Sequence, residues 1–142
     1  MSRLFKKGSG FFVTHVDRAS RFLISEPIET KHAASFNAAT IKAFNDVPKE
    51  NIITITLDNG IEFSGFKEIE KSLGVDVYFA DPYCSWQRGT NENTNALLRR
   101  YFPKGTDFST ITNRQLQTAV DTINHRPRKI LNYQTPAEVY FR

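Results

Sequence analysis

Residues 52–57, Ile-Ile-Thr-Ile-Thr-Leu, are an almost unbroken β-branched run that stops at Asp58-Asn59-Gly60. A run of that kind predicts a strand covered on both faces, and Asp-Asn-Gly predicts the turn that ends it. A strand so covered needs helices on either side of a sheet, which restricts the chain to an α/β arrangement. The flanking segments fit that demand. Phe36, Thr40, Ala43, Phe44 and Val47 recur at helical spacing until Pro48. Phe63, Phe66, Ile69 and Leu73 do so again, with Gly74 placed to close the helix. Val75–Phe79 predicts a further strand.

Upstream, Phe11–Val16 and Arg21–Ser25 predict a β-hairpin around Asp17-Arg18-Ala19-Ser20. Downstream, a helix is expected from about Asn91 to Phe102, stopped by Pro103. Thr112-x-x-Gln115 has the form of a capping box and opens another helix with Leu116, Ala119, Val120 and Ile123 on its buried side. Thr135-Pro136-Ala137-Glu138 starts a last one, with Pro at its first helical position. The order ββ-α-β-α-β-α-α, followed by that short last helix, predicts a mixed sheet with helices on its faces, in one domain spanning residues 1–142.

Composition narrows the class. The 142 residues include twelve Phe and are 39% hydrophobic, enough for a packed core and too much for an intrinsically disordered chain. One Cys cannot form an internal disulfide. No apolar run approaches the ~18 residues of a membrane span. The net charge of +4 is divided unevenly: residues 1–87 carry ten Lys/Arg against eleven Asp/Glu, and residues 88–142 carry nine against four. The basic excess lies in the last third, interleaved with Tyr101, Phe102 and Tyr133, a distribution suited to a polyanion such as DNA as well as to a solvated basic face.

Two carboxylates stand out. Asp58 follows the Ile52–Leu57 strand, at the carboxyl end where open α/β sheets bind ligands. Glu92 falls in the first turn of a predicted helix, where the dipole favours an anion. Each alone is an ordinary turn or helix-start residue. Together they can supply oxygen ligands to a hard cation, and Asn95 and Arg99 share the helix face of Glu92 at i+3 and i+7. An amide and a guanidinium beside such a site suit a phosphate backbone.

The same stretches carry a family resemblance. Thr56–Phe63 resembles the second-carboxylate strand end of DDE transposases and retroviral-type integrases. Tyr78–Tyr83, Trp86-Gln87-Arg88-Gly89-Thr90-Asn91-Glu92-Asn93-Thr94-Asn95 and Arg99–Gly105 closely resemble the IS30 family of bacterial insertion-sequence transposases. The 33 residues between Asp58 and Glu92 (59 to 91) match that family's spacing, and Asn124-His125-Arg126-Pro127-Arg128-Lys129 with Thr135–Glu138 match its C-terminal end. The resemblance implies an RNase H-like fold, Mg²⁺ or Mn²⁺ as cofactor, and metal-dependent nicking and strand transfer of DNA. Asp58 and Glu92 match the second and third catalytic, metal-binding carboxylates. Arg88, Asn95, Arg99, Arg100, Lys104, Arg126, Arg128 and Lys129 become candidate DNA contacts. It also implies transposon ends and target DNA as partners, a homo-oligomer on DNA, no membrane, and a place in the bacterial cytoplasm at the nucleoid.

One part of the pattern is missing. The family's first carboxylate lies in a strand reading roughly Trp-Glu-Gly-Asp, and counting back without gaps places it at about Met1. Asp17 sits in the hairpin turn and does not take its role. The expectation is therefore a chain truncated at its N-terminus, whose central strand is shortened or missing, with Ser2-Arg3-Leu4-Phe5 supplying at most its end. A non-catalytic remnant that binds DNA or a full-length transposase is the alternative reading.

Overall fold

The computed structural model describes residues 2–7, 10–28, 30, 32–57, 65–79, 89–103 and 105–142; the side chains of 2–7, 10, 11, 89–92 and 108 lie outside that description. Five strands are described: β1 (Ser2–Lys7), β2 (Gly10–Val16), β3 (Leu23–Ile28), β4 (Thr54–Leu57) and β5 (Asp76–Phe79). They form one sheet in the order β3-β2-β1-β4-β5. β1 to β3 are an antiparallel meander, whereas β4 runs parallel to both β1 and β5. Five α-helices accompany them: α1 (Ala33–Phe44), α2 (Phe66–Leu73), α3 (Gly89–Tyr101), α4 (Asn113–Asn124) and α5 (Pro136–Tyr140).

Alternation along each strand sorts the core into two layers. Val13, Ile28, Ile55, Leu57 and Val77 face α1 and α2, where they meet Phe36, Ala39 and Ile69. Phe12, Val16 and Leu23 face the other way, onto Leu98 and Phe102 at α3 and Leu116, Ala119, Val120 and Ile123 of α4. The edge of the Phe102 ring meets Phe12 at a centroid distance of 5.8 Å, fixing the end of α3 over β2.

The local signals fold as read. Thr112 and Gln115 form a reciprocal capping box at α4, and Thr135 and Glu138 form another at α5, with Pro136 at the helix start. Gly74 closes α2 at φ 66, a left-handed conformation that costs glycine nothing. Asp17 is a turn residue: its Oδ2 accepts from the Ser20 N–H at 2.7 Å and the Ser20 hydroxyl at 2.6 Å.

Two expectations change. The central position of the sheet is filled: β1 stands between β2 and β4, so of the two readings, shortened or missing, the strand is not missing. Its described pairing with β4 is the single pair Ser2↔Leu57. The strand at 52–57 is also not covered on both faces. Ile55 and Leu57 are buried, but Thr54 is exposed, Thr56 half-buried, and Ile53, just before the strand, is 83% exposed. The β-branched residues there reflect the pleated backbone more than two-sided burial.

Candidate active site and basic surface

β4 leads directly to Asp58. Parallel pairing sets Leu57 beside Ser2 of β1, so the carboxyl end of β4 lies next to the start of the central strand. Asp58 itself, Arg88 and Lys104 lie outside the described residues. The backbone of Glu92 is in the first turn of α3, as expected, but its side chain is not described. The described part of the site is therefore its frame: an interior strand end and a helix start.

The remaining candidates on α3 differ in environment. Asn95 is buried at 8% exposure, and its Oδ1 has no hydrogen-bond partner among the described residues. Arg99 is half-buried, while Arg100 is exposed. In the last third, Arg126 and Lys129 are exposed. Arg128 is half-buried, and its Nη1 is buried without a partner among the described residues. Partial burial lowers its pKa, as do the nearby charges of Arg21 and Arg126. Arg21 was not among the sequence candidates. About a hundred residues of chain separate it from Arg126 and Arg128, so no local pattern could have joined them.

The helix frame is braced from the α1 side. The Asn37 amide donates to the Gly65 carbonyl and to Glu68 Oε2, both at 3.0 Å, fixing the entry of α2 against α1. His15 is buried between Phe36 and Phe44, with Nε2 3.2 Å from the Thr40 hydroxyl. Burial pushes its pKa down to about 3, so it is a neutral core residue. His32 is exposed. Cys84 and Trp86 lie outside the described residues.

A cavity of about 330 Å³ opens at the other end of β4, lined by His15, Val16, Ile24, Phe44, Ile55 and Thr56 among others. Among the described residues, Thr54–Thr56 have no neighbour on the β1 side, and the cavity occupies that gap between β2 and β4. It is a feature of the sheet, distinct from the end that leads to Asp58. No described helix is long and apolar enough to cross a membrane.

Comparison with known proteins agrees with this frame. A family model for the integrase core domain matches residues 4–85. The chain is 43% identical over 135 residues to the transposase of insertion sequence element IS4351 from Bacteroides fragilis, covering 95% of this chain and 41% of that protein. It is also 43% identical over 129 residues to the transposase InsI of IS30A from Escherichia coli K12, covering 91% of this chain and 34% of that one. The chain thus spans only about a third to two fifths of these relatives' length. Among solved structures, the catalytic core domain of BIV integrase superposes with a TM-score of 0.75 at 17% identity, over 99% of this chain and 92% of that one. A chain of the simian T-cell lymphotropic virus intasome, solved with a PP2A regulatory subunit, gives 0.77 at 19% identity, over 100% and 52%. At such identities the structural likeness speaks for the fold alone, which is that of the retroviral integrase core.

Proposed function

The chain belongs to the integrase core domain family, and on that premise we propose that it is the DNA-processing core of an IS30-type transposase. The observation that carries this reading is the register Ser2↔Leu57, which ends β4, one residue before Asp58 in the sequence, beside the start of the central strand. It is supported by the start of α3 at Gly89, which puts Glu92 in a helix's first turn. Water would attack a phosphodiester at the element's end, breaking the bond to the 3′ oxygen and leaving a 3′-hydroxyl. That hydroxyl would then attack a phosphodiester of target DNA, exchanging one ester for another.

Carboxylate oxygens are the ligands a hard divalent cation prefers, so Asp58 and Glu92 fit Mg²⁺ or Mn²⁺. Bound there, the ion would polarise the phosphate and favour deprotonation of a water. Asn95, Arg99 and Arg100 on the same helix, with Arg88, Lys104 and Lys129, would orient the DNA backbone. Action on paired transposon ends implies a homo-oligomer on DNA, working in the bacterial cytoplasm at the nucleoid.

A second reading rests on β1. Its residues, Ser-Arg-Leu-Phe-Lys-Lys, contain no carboxylate, so the central strand as described brings no third ligand to Asp58 and Glu92. That favours a non-catalytic chain that binds DNA or a longer transposase. A Mg²⁺- or Mn²⁺-dependent nicking assay on an element-end duplex separates the two. Nicking that disappears in both Asp58→Asn and Glu92→Gln establishes catalysis. Binding without nicking, unaffected by either substitution, establishes the second reading.

A further inference from the structure

The β2–β3 turn and the segment after α4 are drawn together by contacts on either side of them. The Asn124 side chain, at the end of α4, bonds both backbone groups of Leu23 at 2.8 Å. Tyr140 of α5 stacks on Phe22 at 4.6 Å with the rings 4° from parallel. Arg21 immediately precedes Phe22, and Arg126 and Arg128 lie between Asn124 and α5. Packing, not sequence, therefore brings Arg21 and Arg126 close enough to Arg128 for their charges to act on it. Their mutual proximity is what lowers the pKa of Arg128 beyond the effect of its burial.

Two further observations mark this place. Arg21 adopts φ 66, and the loop behind Arg128 contains the left-handed pair Asn132 (φ 54) and Tyr133 (φ 65). Asn takes that conformation readily, but Arg and Tyr rarely do, and such strain collects at functional sites. The loop is nonetheless held closed by Arg128 N–H to the Gln134 carbonyl at 3.0 Å and Tyr133 N–H to the Arg128 carbonyl at 2.9 Å. In addition, Nη1 of Arg128 is buried with no partner among the described residues, an unusual state for a charged donor.

We propose that Arg21, Arg126 and Arg128 together bind one phosphodiester of DNA, at a site apart from the carboxylate end of the sheet. The proposal rests on the DNA-processing reading above and adds a fixed point on the DNA path. Strand register defines where it is. β2 runs antiparallel to β1 and β4 parallel to it, so the β2–β3 turn lies toward the end where β4 begins, away from Asp58. A phosphate oxygen pair suits the planar guanidinium fork, and its negative charge relieves the repulsion among three cations.

The test is the salt dependence of binding to a labelled DNA duplex of arbitrary sequence, between roughly 50 and 200 mM salt. Arg21→Gln and Arg128→Gln are each expected to make the slope of log K against log salt shallower by about 0.9, the value for one phosphate. The double variant is expected to lose no more than either single one, because all three arginines share that phosphate. Lys71→Gln on α2, on the opposite face, is the control and should change nothing. Arg128→Gln should not lower the melting temperature, since it removes a like charge from the cluster; Arg21→Lys should retain the slope. Unchanged slopes in an otherwise DNA-binding protein overturn the proposal alone, and additive losses overturn the shared site. Absence of duplex binding by the wild-type chain overturns both the proposal and the reading it rests on.

Discussion

The side-chain amide of Asn124 closes a two-way hydrogen bond with Leu23: the Leu23 N–H donates to Oδ1 and Nδ2 donates to the Leu23 carbonyl, both at 2.8 Å. β3 is an edge strand, and Leu23 turns these backbone groups away from β2. Gln117, two turns earlier on α4, donates to the Ser25 carbonyl at 2.8 Å on the same edge. α4 thus covers the strand edge with amides, a way of keeping an edge from pairing with another chain.

Asn124→Ala should therefore destabilise the fold by about 2 to 4 kcal/mol, because it strands one buried N–H and one buried carbonyl. Chemical denaturation would measure this. A loss below about 1 kcal/mol would show that the edge finds other partners.

Gly65 has no room for a side chain. A Cβ there would lie 2.6 Å from Nδ2 of Asn37, the atom that holds the Gly65 carbonyl and Glu68. Asn37 is itself buried, so it cannot simply swing into solvent. Gly65→Ala is expected to cost about 1 to 3 kcal/mol. With Asn37→Ala already in place the same change should cost clearly less, and strict additivity in that double-mutant cycle would contradict the clash.

His15 makes stability depend on acid. Its pKa is about 3 in the folded chain, against an ordinary 6.5. The unfolded chain therefore binds a proton below about pH 6.5 that the folded one refuses. Its contribution is full above that pH and shrinks as pH falls toward 3, by up to about 1.4 kcal/mol per pH unit. In urea melts at several pH values, His15→Leu should be flatter than wild type between about pH 6.5 and 4.5. Parallel curves for the two proteins would mean that His15 titrates normally.

Asn95 separates stability from function. Its Oδ1 is buried without a partner among the described residues, so its removal breaks no described hydrogen bond of that oxygen. Asn95→Ala should leave stability within about 1 kcal/mol of wild type while weakening duplex binding or nicking. A large loss of stability with activity intact would assign the residue to the core instead.

The periodicity of the chain was enough to locate most elements. Alternating and β-branched runs marked β2 to β5, helical spacing marked α1 and α2, and Thr112-x-x-Gln115 and Thr135-Pro136-Ala137-Glu138 marked two helix starts to the residue. Those signals are legible because they are local: a cap, a turn or a periodic face involves residues within a few positions of one another. The run 52–57 misled about coverage because β-branching reports fit to a pleated, half-buried surface, whereas burial of the second face depends on which helices arrive above the strand.

The sequence by itself determined the elements, the basic last third and the motifs that place Asp58 and Glu92 in an integrase-type core. Only the tertiary structure decided that Ser2–Lys7 stands at the centre of the sheet, that Asn95 is buried, and that the charges of Arg21 and Arg126 act on Arg128. The physical reason is distance along the chain. Strand order, burial and charge clustering are set by contacts between residues tens to a hundred positions apart, and no local pattern records which of them will meet.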